Sequence, residues 1–243
     1  SVSSIRQTTF MRCFLLVVFF LIFFFACGKD GVEQIKVDIP EGIMVPDDMV
    51  YIPSGNFIMG HSDYPDTKKG KVINQEAFLI DRFEVTREQF GSFNEDYRFH
   101  PKKARFPASL VTFKQAEEYC NWKGRRLPNE TEWEKSARGS DGRKWAWKKY
   151  YEHPNNGFSG FIPEAVDDRD EWISPYGVYG MGHNVWEWTS DWYVSDKTSK
   201  SDSKLYKVIR GGVTQTHTVI KFTPTFFRNK MEPKAYFNFI GFR

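Results

Sequence analysis

The stretch "GVYGMGHNVWEW", residues 177–188, limits what this chain can fold into more than any other. A glycine-punctuated run leads into two tryptophans separated by a glutamate, and Thr189-Ser190-Asp191-Trp192-Tyr193 extends the aromatic character. Large rings bury much area per residue, so such a segment must line a core or form a binding face. His183 and Glu187 stand four apart, a spacing that suits two metal ligands on a helix. Two ligands do not make a catalytic metal centre, which wants three protein ligands, so His183 is read as a surface or internally satisfied residue. The 243-residue chain as a whole is aromatic, with 8 Trp and 11 Tyr, enough to fill a core with little regular secondary structure. Its net charge of +3 is scattered and forms no basic stripe, which argues against a nucleic-acid partner.

Residues 12–27, "RCFLLVVFFLIFFFAC", stand apart from any fold. Arg12 supplies a positive flank, and the unbroken apolar run at 13–26 is shorter than the roughly 20 residues a spanning helix needs. Ala26-Cys27 closes the run as a bacterial lipobox would, with Phe24 where leucine is usual. That resemblance implies lipid on Cys27 and a membrane-anchored lipoprotein, facing the periplasm or the cell surface. The alternative is an uncleaved anchor helix, which also puts the domain after Cys27 outside the cytoplasm. Met11 reads as the natural start, leaving residues 1–10 upstream. The expected organisation is therefore a leader at 1–27, a polar tether at 28–47 containing Pro40 and Pro46, and one domain at 48–243. Once Cys13 is removed and Cys27 lipidated, Cys120 has no partner for an internal disulfide.

Within the domain, "MVYIPSGNFIMG" alternates apolar and polar residues around Ser54-Gly55-Asn56, which predicts a hairpin. Three helices carry start signals in the form of capping boxes: Thr86 with Gln89, Thr112 with Gln115, and Asn129 with Glu132. Gly124 and Gly139 mark the ends of the second and third. Ala116, Tyr119 and Cys120 share one helical face, and Trp133 and Ala137 another, so Cys120 is expected to be a buried small hydrophobe. After Gly139 the apolar pieces are short and broken by Gly, Pro, Asn and Asp, and residues 194–204 form a solvated loop.

Six pieces in order give the chain a family likeness: "MVYIPSGNFIMG", "FLIDRFEVTREQF", "EEYCNWKGRRLPNETEWEKSARG", "YGVYGMGHNVWEWTSDWY", "VIRGG" and "IGFR". From Met49 to Arg243 the sequence resembles the formylglycine-generating enzymes, or sulfatase-modifying factors. The resemblance implies a single irregular α+β domain of C-type-lectin-like type, with few long strands and about three short helices. It places Asn184, Trp186, Trp188 and Trp192, the Arg210-Gly211-Gly212 turn, Arg228 and the closing Arg243 in the structural core.

Active members hold copper on two thiolates, the soft ligands that Cu(I) prefers. Counting back from Arg228, the positions matching those cysteines carry Ile220 and Thr225, so neither copper nor formylglycine generation is expected. A second branch of the superfamily places non-haem iron on histidines of an added helical domain. Here His61, His100, His153, His183 and His217 form no such cluster. Calcium is the implied cofactor, since some members bind it at the tryptophan motif through carbonyls and a carboxylate. Glu187 matches the carboxylate and His183 and Val185 the carbonyls, although Gly180 replaces a usual oxygen ligand and His183 a usual glycine. Asn156, with Gly160, matches the start of a second site. The function expected is a non-catalytic, lipid-anchored binding or assembly module for an extracytoplasmic protein, peptide or glycan. The alternative is a metal-dependent enzyme of different, oxidoreductase-like chemistry.

Overall fold

The computed structural model describes residues 34–63, 70–147, 163–194, 204–215 and 220–243. Local chemistry sets the helices. Thr86, Thr112 and Asn129 each accept from the third helical N–H, and Gln89, Gln115 and Glu132 reach back to the cap N–H. The three capping boxes open α1 (Arg87–Phe93), α2 (Phe113–Trp122) and α3 (Glu130–Arg138). Gly124 and Gly139 follow α2 and α3 with φ +68°, a value that glycine takes freely and other residues rarely adopt.

The strands are short. β1 (Met49–Ile52) and β2 (Gly55–Met59) follow each other as the alternation predicts, but they do not pair. β1 pairs antiparallel with β4 (Phe78–Asp81), and β2 with β3 (Lys71–Gln75), giving two separate two-stranded sheets. The hairpin expectation is thus corrected: the alternation located both strands, while their partners lie beyond the next turn. The central sheet runs β10–β5–β6–β9, from Ile240–Gly241, Trp186–Trp192, Lys207–Gly211 and Arg228–Met231. A further pair joins β7 (Val213–Gln215) to β8 (Ile220–Phe222). The tryptophan motif is therefore a strand, and the helix that a spacing of four suggested for His183 and Glu187 does not form.

Strand alternation then divides the core. Trp186 and Trp188 join Phe90, Ala116, Tyr119, Cys120 and Phe242 in one apolar cluster beneath α1 and α2. The second cluster gathers Trp133 and Ala137 of α3 with Ile52, Trp147, Trp172 and Met181. Buried indoles find acceptors: Trp186 donates to the Val213 carbonyl (3.2 Å) and Trp188 to that of Val111 (3.0 Å). Trp192 departs from the core assignment. It is 37% exposed, beyond a register shift in β5, with Lys207 Nζ 4.0 Å from its ring centre. Cys120 is buried as expected, and burial pushes its thiol up to about 12, so it is not a thiolate at neutral pH. In the expected tether, residues 34–47 carry no helix or strand, yet the Ile35 N–H donates to the Pro175 carbonyl (2.7 Å).

Candidate functional site

Across the central sheet, register places Glu187 opposite Arg210 and Arg210 opposite Arg228. This charged row faces α3, because Trp186 and Trp188 take the other face of β5. α3 answers with Glu130 and Glu134, four apart and so on one side of the helix. Arg228 donates to Glu130 (2.7 Å), and Arg210 to Glu134 (2.7 Å) and to the Thr225 carbonyl (2.7 Å). Arg138 closes the network on Glu134 (2.8 Å) and the Gly60 carbonyl (2.9 Å). All five side chains are buried, so the network depends on mutual neutralisation. The Arg210-Gly211-Gly212 turn fits tightly beneath it. Gly211 and Gly212 have φ of +75° and +68°, and a Cβ on either would press on Trp133 or Trp186.

Glu187 has its own partner. Arg243 forks onto its carboxylate (2.7 and 2.5 Å), and the Trp133 indole N–H adds a third bond at 2.8 Å. Both side chains of the pair are fully buried. The carboxylate expected to hold calcium is thus already neutralised within the protein. A second carboxylate beside it is not. Glu84, between Asp81 and the cap of α1, is 1% exposed, and no hydrogen bond of normal geometry reaches either of its oxygens. Burial drives its pKa up to about 8; Glu187 adds to the rise, while Arg243 and the Asn184 amide only partly offset it. Gly180 (φ +77°) lies against this group, since a Cβ there would stand 2.5 Å from the carboxyl carbon. Two carboxylates against one guanidinium leave one negative charge over, and burial of that charge demands a proton or a cation. The carboxylate left without a partner is thus Glu84, whereas Glu187 is already paired.

The remaining expected positions are scattered. His183 is buried, its ring 5.1 Å from that of Trp172 and 6.1 Å from that of Trp147, and it heads no metal cluster. Among the described residues no three His, Cys, Asp or Glu side chains group closely enough for a metal, so a cation here would rely largely on backbone oxygens. Val185 is buried in the chain between His183 and β5. Asn184 holds a left-handed φ of +66°, and its amide oxygen accepts from the Glu164 N–H (3.0 Å). Thr225 is fully buried, with its hydroxyl 3.1 Å from the Arg143 carbonyl and 3.2 Å from that of Lys144. Ile220 opens β8. Asn156, Gly160 and Cys27 lie outside the described residues, as does the apolar run at 13–26. No helix among the described residues is long and apolar enough to cross a membrane. Sequence reading missed Glu84; its one signal was a glutamate between Phe83 and Val85, just ahead of a helix cap.

The profile of the sulfatase-modifying factor enzyme 1-like domain matches residues 40–243. The chain belongs to that family. Among its relatives, the inactive C-alpha-formylglycine-generating enzyme 2 of Mus musculus is 27% identical over 213 residues, covering 60% of this chain and 69% of that protein. The formylglycine-generating enzyme of Thermomonospora curvata is also 27% identical, over 244 residues, covering 71% and 80%. Equal identity to an inactive and an active relative means that overall similarity cannot decide catalysis; single positions must. In structure the domain resembles Treponema denticola variable protein 1 (TM-score 0.63, 20% identity) and PvdO from Pseudomonas aeruginosa (TM-score 0.63, 23% identity). Both alignments cover 80% of this chain and 92% of the other, confirming the sulfatase-modifying-factor fold across the domain.

Proposed function

We propose that this sulfatase-modifying-factor domain is a non-catalytic binding or assembly module, held outside the cytoplasm by lipid on Cys27 and steadied by calcium. Thr225 carries the first part of that reading. At the position where the resemblance asks for a copper thiolate stands a hydroxyl engaged with two backbone carbonyls. Cys120 cannot stand in for it, being packed among α2 core residues with its thiol neutral. Among the described residues, two-thiolate copper chemistry finds no ligand pair. The domain is therefore expected to leave a sulfatase-type cysteine peptide unconverted, with or without added copper. Aldehyde formation above a no-protein control, or one equivalent of copper or iron in tag-free protein, would overturn the reading.

For calcium, Glu84 would supply the charge and backbone carbonyls such as those of His183 and Val185 further oxygens; its chemistry there is neutralisation. The lipid anchor rests on Ala26-Cys27 closing an apolar run too short to span. Cys27→Ser should block processing or release the protein from membranes, read by fractionation and a mobility shift. A processed, membrane-bound mutant would remove the anchor from this reading.

A further inference from the structure

A cleft of about 460 Å³ opens beside β4, within the range of about 300–1,000 Å³ typical of ligand sites. All four residues of β4 line it, together with Met49, the Lys123–Arg126 loop, Glu132 and Arg243. β4 belongs to a two-stranded sheet, so its far edge is unpaired. The register shows which backbone groups that edge presents. Arg82 donates to the Asp48 carbonyl, which makes 82 and 48 a hydrogen-bonded pair, and alternation then assigns Ile80 and Phe78 to β1. Leu79 and Asp81 therefore point their main-chain groups outward. Arg243 already occupies the Asp81 carbonyl (3.2 Å), leaving the Leu79 N–H and C=O and the Asp81 N–H toward the cleft. An edge of this kind is a template for another strand.

The lining also carries Lys123, Arg125 and Arg126 within four residues. Arg125 is committed to Asp81 and Asp48, and Arg126 reaches the buried Glu132 while its own side chain stays 64% exposed. Lys123 is exposed and, among the described residues, joins no ion pair; its ammonium lies 5.9 Å from the Trp122 ring. Asp48, Asp81 and Glu132 thus balance the three cations of this rim, with Lys123 the exposed one outside those pairs, whereas Phe78, Leu79 and Met49 give the cleft apolar lining. We infer that the cleft takes an extended acidic peptide, which adds as a strand to the edge of β4 and places a carboxylate against Lys123. This rests on the binding-module reading and names the class of partner.

Fluorescence anisotropy with a labelled short peptide of alternating Glu and Leu tests it, against a Lys/Leu peptide and two N-methylated versions of the acidic one. Each version is methylated on one alternate set of residues. A strand exchanges hydrogen bonds with its neighbour through only one such set. Saturable binding of the acidic peptide is expected, lost by roughly tenfold or more with one methylated set and kept with the other. Lys123→Glu should weaken it while the protein melts as wild type. Equal binding of the lysine peptide, indifference to either methylation pattern, or no binding by folded protein would each overturn the inference. In the last case, protein that also leaves the cysteine peptide unconverted would keep the non-catalytic reading intact.

Discussion

Truncating Arg243 to alanine should destabilise the domain by about 3–5 kcal/mol, the usual cost of breaking a buried ion pair from one side. The guanidinium neutralises Glu187 and also caps backbone oxygens, donating to Tyr179 (2.7 Å) and Asp81 (3.2 Å). Without it, Glu187 keeps only the Trp133 indole, and a fully buried carboxylate loses its counter-charge. Arg243→Lys should be intermediate, because an ammonium keeps the charge but cannot form the two parallel bonds of the fork. The most informative variant removes both charges, as Arg243→Met with Glu187→Leu. If the single loss reflects a stranded carboxylate, the double change should regain much of the stability. Urea denaturation measures all three. An alanine variant as stable as wild type would show that the pair does not hold the closing segment in place.

How much of this was legible beforehand depends on distance along the chain. The capping boxes were, because each is closed within three residues, and the structure has all of them. Strand positions were legible from alternation at Met49–Ile52 and Gly55–Met59, whereas their partners were not. Pairing depends on which nonlocal apolar faces fit, and neither Pro53 nor Ser54 between the two strands says that the chain will fail to fold back. Trp192 shared a motif with Trp186 and Trp188 but lies past an irregularity in β5, where Lys207 is its neighbour and solvent its other face. Nothing local to α3 gives its acidic face Arg210 and Arg228 as partners. Only the register of β5, β6 and β9 brings Arg210 and Arg228 over Glu130 and Glu134, partners 76 and 98 residues distant. Glu187 was expected to serve calcium and is paired within the protein instead; its counter-ion, Arg243, was named for the core but not paired with it. Glu84 stayed hidden for the same reason: the residue packed against its carboxyl group is Gly180, far along the chain.

Glu84 also sets the clearest dependence on solution conditions. An unfolded glutamate ionises near 4.5, and the folded group near 8, so between those values the native state holds one proton more than the unfolded chain. Stability from this group is complete below about pH 4.5 and is lost as pH rises through about 8, with a total on the order of 5 kcal/mol. In chelator, wild type should therefore lose stability against Glu84→Gln as pH rises from 5 to 9, since glutamine resembles the protonated acid and does not titrate; taking the difference between the two removes every other titrating group. Calcium should act in the opposite direction. It competes with the proton for the same oxygens, so its stabilisation should be small at pH 5, grow toward pH 9, and vanish in Glu84→Gln. Under the alternative, in which only a proton neutralises the site, the pH-dependent difference persists and added calcium changes neither protein. A chelated wild type that parallels Glu84→Gln across the whole range would show that the carboxylate is neutralised by something else, and both the linkage and the cation site would have to be abandoned.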